Sequence, residues 1–341
     1  MLESLYIKNY RLFRELRINS LKRVNLIIGK NNVGKSSFLD ALSLYYHKDN
    51  IVWRLYSDAR LRGEWAEIDR KNVNHLDCMA NLSGLFYGRS VSLENKNEIH
   101  IGKDPENGIT LYLTRSDSDI ILVLNEKPHT KVQQFPLSEF EKHLIPSHKK
   151  RNYRLISSLP HHDISESLSP LWSQIALTDK EKYVIEALKI IDKKIDRIAF
   201  VGESLSQQQA IVRLEDDPHP IALKSMGEGI LRLLRNILYL IQCENGALLI
   251  DEFENGLHWS VQAELWKIIF HLSHKLNIQI FATTHSRDTL WALQKVALSE
   301  GYQEDTRVIK LKHSAKKQTI KAVELDIENV KDVLEQGLEI R

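Results

Sequence analysis

Apolar positions along the chain fall into blocks of two different periods. Leu5-Tyr-Ile, Leu16-Arg-Ile and Val24-Asn-Leu-Ile-Ile are short runs separated by polar turns, which predicts three strands before Gly29. From Lys35 the period changes: Phe38, Leu39, Leu42, Tyr45 and Tyr46 recur at the spacing of a helix that buries one face. The third strand, Gly29 and this helix make a strand, glycine loop and helix unit. Between 49 and 195 the pattern weakens. Alternating runs over 98–123, broken by Pro105-Glu-Asn-Gly108 and Ser116-Asp-Ser-Asp119, predict antiparallel hairpins. Val184, Leu188, Ile191 and Ile195 follow helical spacing amid dense charge, so 180–198 is predicted to be a helical arm.

From 198 onward regularity returns. A strand is predicted over 210–214, a turn over 216–220, and a helix over 228–241 with Ile230, Leu233, Leu234, Ile237, Leu238 and Ile241 in one stripe. Ala247-Leu-Leu-Ile reads as a buried strand, 261–276 as an amphipathic helix and Ile278-Gln-Ile-Phe as another buried strand. Strands alternating with helices imply a mostly parallel sheet covered on both faces, hence an α/β fold. The expected organisation is a single domain over 1–341. Its core is 1–48 and 196–341, and 49–195 is an insertion made of a β-rich lobe and the helical arm. There is no internal repeat and no low-complexity segment.

Composition narrows the setting. Forty-seven basic residues against 45 acidic ones leave a formal charge of +2, so any nucleic acid or anionic membrane would have to be met by a local patch. Cys78 and Cys243 are too few and too far apart for a disulfide framework or a cysteine metal site, which points to a reducing cytosol. The first residues lack the basic and apolar regions of a signal peptide, and Arg232 and Arg235 interrupt the richest apolar stretch. The expectation is a cytoplasmic protein with no membrane partner.

Four elements carry chemistry. Gly29-Lys30-Asn31-Asn32-Val33-Gly34-Lys35-Ser36 matches G-x-x-x-x-G-K-[ST], whose glycines let backbone N–H groups curl around phosphate oxygens at a helix N-terminus. Lys35 would reach the β- and γ-phosphates, Ser36 would offer its hydroxyl to Mg²⁺, and Ser37 extends the helix start. The strand ending in Asp251-Glu252 has the form in which the aspartate organises Mg²⁺ and the glutamate polarises the attacking water. Thr283-Thr-His285-Ser286 follows the next buried strand at the same carboxyl edge, where His285 can bond a γ-phosphate oxygen. Ser225-Met-Gly227-Glu-Gly229 opens the 228–241 helix as a second phosphate concavity, one more than a single nucleotide needs in one chain.

Together these elements resemble the P-loop heads of ABC-type ATPases, with Ser225, Gly227 and Gly229 in the place of the signature motif. Within them the chain is similar to the OLD-like family of bacterial P-loop ATPases. The resemblance rests on Ile7-Lys-Asn-Tyr-Arg-Leu-Phe13, the 24–36 and 225–229 segments, Asp251-Glu-Phe-Glu-Asn-Gly-Leu-His258 and Thr283-Thr-His-Ser286. It covers about 1–46 and 198–290. The transporter signature Leu-Ser-Gly-Gly-Gln is absent, which disfavours import or export, and no Q-loop residue stands out beyond Gln133 and Gln134 in the right general stretch.

The resemblance implies a Mg-dependent ATPase that uses ATP and Mg²⁺. It implies a homodimer or higher homo-oligomer through the nucleotide sites, whose opening and closing is a switch. Relatives that continue into a TOPRIM nuclease need a further domain. Here 56 residues follow His285, and Ile327, Val330, Val333 and Leu334 recur at helical spacing among Glu324, Asp326, Glu328 and Asp332, so a charged terminal helix is predicted. The implied role is bacterial defence against phage or foreign DNA with a separate effector, a nuclease or toxin, in trans. Two other readings use the same motifs: a nucleotide-gated binding module with little turnover, and an SMC-like DNA repair or loading ATPase, which calls for longer arms. Asn95-Lys-Asn-Glu98 reads as a polar turn and not a guanine-reading motif, leaving adenine as the default base. His161-His-Asp163, and His271 with His274, fall short of a metal ligand set. Nucleic acid stays open as a partner through Lys149-Lys-Arg151 with Arg154, and through the tract from Arg307 via Lys310, Lys312, Lys316 and Lys317 to Lys321.

Overall fold

The computed structural model describes residues 1–64, 75–93, 97–117, 119–128, 131–143, 153–156, 168–202, 208–314 and 319–330. The chain begins with a hairpin, β1 (Leu5–Tyr10) and β2 (Phe13–Ile18), and β3 (Val24–Ile28) then runs through Gly29 into α1 (Lys35–Tyr46) and α2 (Ile51–Leu61). After α3 (His75–Ser83) come β4 (Ile99–Gly102), β5 (Gly108–Arg115), β6 (Ile120–Lys127) and β7 (Lys131–Pro136), the predicted hairpins. They extend the first hairpin into one antiparallel sheet of order β2-β1-β4-β5-β6-β7. Next are β8 (Tyr153–Ile156), α4 (Ser169–Ser173), α5 (Glu181–Leu188), β9 (Ile195–Val201), β10 (Gln209–Leu214), β11 (Ile221–Ala222) and α6 (Glu228–Gln242). The last third is β12 (Ala247–Ile250), α7 (Trp259–Lys275), β13 (Gln279–Thr283), α8 (Arg287–Ser299), β14 (Thr306–His313) and β15 (Ile320–Asp326).

The central sheet has the order β15-β14-β3-β13-β12-β8, parallel except for β15. Its inner strands β3, β13 and β12 are buried on both faces because both faces are covered. Leu26, Ile28, Leu248, Ile250, Ile280 and Val308 turn toward the core that holds α5 to α8. Ile27, Leu249, Phe281 and Ile309 turn toward a second core that joins α1 and α2 to the antiparallel sheet. The alternation follows the two-residue period of a strand.

Three sequence expectations change. The helical arm over 180–198 is a two-turn helix, α5, followed by strand β9. Asp192 ends the helical path: its carboxylate accepts from the Lys194 N–H at 2.9 Å and its carbonyl from the Ile195 N–H at 3.2 Å, a local turn that competes with the helix. Tyr183, Val184, Ala187 and Leu188 of α5 are buried in the core beside α6, so no arm projects here. The predicted charged terminal helix does not include Glu324 and Asp326, which lie on edge strand β15, although the chain turns helical at Ile327–Asn329 directly after it. The Glu324 carboxylate accepts from the Asn19 N–H at 2.9 Å and the Ser20 N–H at 2.8 Å, which fastens β15 to the end of the first hairpin, and Asp326 pairs with Arg307 of the neighbouring β14. Asp332, Val333 and Leu334 lie outside the described residues. Sheet membership also crosses the expected insertion boundary: β8 belongs to the central sheet, and β4 to β7 continue the sheet begun by β1 and β2.

Side-chain amides close the amino-terminal edge of the central sheet. Buried Gln279 accepts from the Leu2 N–H at 2.8 Å and donates to the carbonyls of Leu2 at 2.7 Å and Lys22 at 2.9 Å. Buried Asn25 accepts from the Lys22 N–H at 2.9 Å and donates to the carbonyls of Lys22 at 2.7 Å and Ile280 at 3.1 Å. Replacing Gln279 by Leu would leave the Leu2 N–H and carbonyl unpaired, while Asn25 still donates to the Lys22 carbonyl, so Gln279→Leu is expected to lose about 1–3 kcal/mol of stability in urea unfolding with an unchanged m value. Because the nucleotide edge is the opposite one, KM for ATP should not move in that variant.

Candidate functional site

The parallel strands β3, β13 and β12 lie side by side and end at one edge, as ligand sites in open α/β sheets require. The loop after β3 can form only with its glycines. Gly29 has φ +150°, and a Cβ there would lie 2.5 Å from the Leu311 carbonyl oxygen and 2.9 Å from Val33 Cγ1. Gly34 has φ +92° and packs on Phe13, whose Cζ would be 3.0 Å from an added Cβ. Lys30, Asn31 and Asn32 are exposed on the loop, and buried Val33 anchors it. Helix α1 starts at Lys35 with no side-chain cap, leaving its first N–H groups for an anion. By contrast, α7 is capped by His258 and α8 by Ser286.

Lys35 folds back over the loop, its Nζ donating to the carbonyls of Gly29 at 2.8 Å and Lys30 at 3.0 Å. Burial pushes its ammonium from the usual 10.5 down to about 8, against the pull of Asp251, Glu254 and Glu252. Exposed Ser36, one residue on, donates its Oγ to Asp251 Oδ2 at 3.0 Å. The other Asp251 oxygen accepts from Thr283 Oγ1 at 2.6 Å, and the same Thr283 oxygen accepts from the Glu252 N–H at 2.9 Å. The buried carboxylate therefore joins α1 to the ends of β12 and β13. Ser36 and Asp251 together offer hard oxygens of the kind Mg²⁺ takes in addition to phosphate. Among the described residues no three His, Cys, Asp or Glu side chains come together as a self-sufficient metal site.

Glu252 has φ +52°, a left-handed conformation that costs a residue with a Cβ about 1–3 kcal/mol. Its side chain is part-exposed, and Glu252 Oε1 lies 3.8 Å from His285 Nε2, so the two groups assigned to water and phosphate face each other. Ser225 and Gly227 are exposed at the start of α6, where Gly227 (φ +107°) serves as an N-cap without a side-chain bond. Half-buried Gly229 packs on the loop after β12, since an added Cβ would sit 3.1 Å from the Gly256 carbonyl oxygen. Thus Lys35, Ser36, Asp251, Glu252 and His285 converge on one edge, while 225–229 touches that apparatus through the 254–256 loop.

Two site residues had no assigned role in the sequence. Thr283 orients Asp251 and the backbone of Glu252, and Glu254 bonds the segment around His285. Their signal was a polar residue at the last position of a buried strand and an acid three positions after Asp251. Gln133 and Gln134 are on β7, the edge of the antiparallel sheet, whereas the strand beside β12 is β8. His274 pairs with Asp305 at 2.9 Å, and His271 packs edge-on to Tyr183. Arg154 donates to Gln242 at 2.7 Å, and Arg307 is held by Asp326 and Ser20. The segments 149–151, 161–163 and 315–318 lie outside the described residues. No helix among the described residues is long and apolar enough to cross a membrane.

A buried lysine on a glycine loop, a serine beside a strand-end aspartate, and a glutamate facing a histidine define a P-loop NTPase on an α/β head. The chain belongs to the family described as "AAA domain, putative AbiEii toxin, Type IV TA system", whose model matches residues 24–290, and it is a P-loop ATPase. It is 24% identical over 365 aligned positions to an "ATP/GTP phosphatase" of Helicobacter pylori, covering 92% of each chain. A 45-residue stretch is 51% identical to "Uncharacterized protein MJECL10" of Methanocaldococcus jannaschii, covering 13% of this chain and 20% of that one. The fold is similar to that of a solved SMC head, crystallised bound to the C-winged helix domain of ScpA, with TM-score 0.51 and 12% identity over 96% of this chain and 99% of that chain.

The depressed Lys35 pKa sets a test by pH. Between about 8 and 10.5 the unfolded chain binds more protons at this site than the folded one, so stability should rise with pH across that window. Over about pH 7.5–9.5 the ligand-free protein is expected to gain about 1–2 kcal/mol that Lys35→Met does not show. Buried Cys243 and Tyr10, both pushed up to about 12, act with the opposite sign, Cys243 already within this window, so the comparison with Lys35→Met is what isolates Lys35. Paired urea titrations give the difference.

Proposed function

We propose that this chain is a Mg-dependent ATPase whose two nucleotide sites form between two copies, and that closing and opening of this dimer is a switch. The observation that carries the reading is the second glycine-capped helix start, Ser225 to Gly229: it is exposed, lacks a side-chain cap and packs on the loop that follows the catalytic carboxylates. In this reading Gly29 to Ser37 of one copy hold the triphosphate. Ser225, Gly227 and Gly229 of the second copy donate to its γ-phosphate.

Within the site, Lys35 exchanges its two carbonyl partners for β- and γ-phosphate oxygens, which stabilises the charge that burial disfavours. Ser36 and Asp251 would hold Mg²⁺, which when bound would supply charge neutralisation on the phosphates. Glu252 orients the water and accepts its proton, and His285 donates from Nε2 to a γ-phosphate oxygen. The name of the Helicobacter pylori relative includes GTP, and the glycine loop reads phosphates and not the base, so ATP and GTP are to be compared side by side.

At the system level we infer a regulatory ATPase of a bacterial anti-phage or foreign-DNA defence system, OLD-like in its head, with the nuclease or toxin on another protein. The Type IV TA wording of the family supports a place in a multi-part system. Purified alone with ATP, Mg²⁺ and Mn²⁺, the chain is expected to leave DNA and RNA uncut. Cleavage lost on mutating its own carboxylates would contradict an effector in trans.

Glu252→Gln should keep ATP binding and lose turnover about 10²-fold or more, as read by phosphate release. Mixing Lys35→Ala with Ser225→Arg subunits tests sharing between copies. Some mixed dimers regain one intact site, so recovered hydrolysis is expected. No recovery despite proven heterodimers would place the whole site within one chain.

A further inference from the structure

Neither ring nitrogen of His285 is firmly held. Its Nδ1 is buried with no hydrogen-bond partner among the described residues, and its Nε2 is 3.8 Å from Glu252. What fixes the residue is its backbone, and the backbone is gripped by one carboxylate. Glu254 Oε1 accepts from the His285 N–H at 2.8 Å, and Glu254 Oε2 accepts from Thr284 Oγ1 at 2.7 Å. The Thr284 hydroxyl also accepts from the Ser286 N–H at 2.9 Å, and Ser286 in turn caps α8. Residues on both sides of His285 are thereby tied to a single side chain, and a carboxylate accepting two short bonds is a stronger clamp than a neutral amide.

The clamp is itself anchored to α6. Glu254 begins the turn whose Gly256 (φ +71°) lies against Arg232: a Cβ there would be 2.5 Å from Arg232 Cδ and 2.6 Å from its Nε. Arg232 Nη1 donates to Asn255 Oδ1 at 3.0 Å. One turn of helix separates Arg232 from Gly229, which meets the same loop at the Gly256 carbonyl. A chain of contacts therefore runs from the start of α6 through 254–256 to the backbone of His285.

We propose that Glu254 is a positioning residue for His285, and that Arg232 links its setting to the start of α6. The inference rests on the reading of His285 as the donor to the γ-phosphate. If α6 reaches the nucleotide of a second copy, a shift of α6 there changes the placement of His285 at the chain's own nucleotide, coupling the two sites without a contact between the ligands.

A double-mutant cycle on the full chain tests it, with ATP turnover, KM and folded-state spectra recorded for each variant. Glu254→Ala is expected to lower kcat roughly 10-fold to 10²-fold, the usual cost of a misplaced group, with KM within about twofold. Thr284→Val, which keeps the shape and removes the hydroxyl, should give a smaller loss in the same parameter. Glu254→Gln should recover part of the rate, because its amide oxygen can still accept from the His285 N–H. In a His285→Ala background, Glu254→Ala should cost nothing further. A residue that merely supports the fold would reduce activity by the same factor in both backgrounds, and that additivity would overturn the proposal. So would a wild-type kcat in folded Glu254→Ala, or in Thr284→Val if the alanine variant does not fold. His285→Ala at wild-type turnover would instead remove the reading of His285 itself, and with it the role of Glu254.

Discussion

The site depends on how the Asp251 carboxylate is buried. A charged group at 8% exposure survives only if its oxygens are hydrogen-bonded, and here the partners are Ser36 from the start of α1 and Thr283 from the end of β13. The desolvation cost of one acid is thus offset by bonds that hold three elements in register. Thr283 then sets the backbone of Glu252, so the residue assigned to the metal also places the residue assigned to water. Lys35 feels the same negative charge and keeps a proton at neutral pH despite its burial.

The two edges of the central sheet solve the same problem with different chemistry. At the amino-terminal edge neutral amides, Gln279 and Asn25, satisfy backbone groups at no charge cost. At the carboxyl-terminal edge the chain carries Lys35, Asp251, Glu252 and Glu254, with left-handed backbone at Gly29, Gly34 and Glu252. Strain and partial satisfaction gather where a ligand would complete them, which is the usual separation of stability from function in α/β sheets.

Much of this architecture is legible in the sequence because its signals are local. A five-residue apolar strand running into a glycine loop, and the stripe of α6, each fix an element from within one window. So do the strand before Asp251 and the hairpins over 98–123. The helical spacing over 180–198 misleads because Ile191 and Ile195 keep it by coincidence, while the Asp192 side chain turns the backbone between them. β15 was misread because its acids answer to Asn19, Ser20 and Arg307, partners about 300 and 19 residues away that no local window contains. Glu254 is visible as a letter near Asp251, but its work is done on Thr284 and His285, so its role needs the tertiary fold.

The central claim, that Lys35 and Asp251 make one phosphate and metal site, is tested most directly by a crystal structure of the protein with Mg²⁺ and a non-hydrolysable ATP analogue. The account predicts that Lys35 Nζ leaves the carbonyls of Gly29 and Lys30 for β- and γ-phosphate oxygens. It also predicts that the Ser36–Asp251 hydrogen bond opens around the metal. A nucleotide bound elsewhere, with Lys35 still on its two carbonyls and Ser36 still on Asp251, would contradict it.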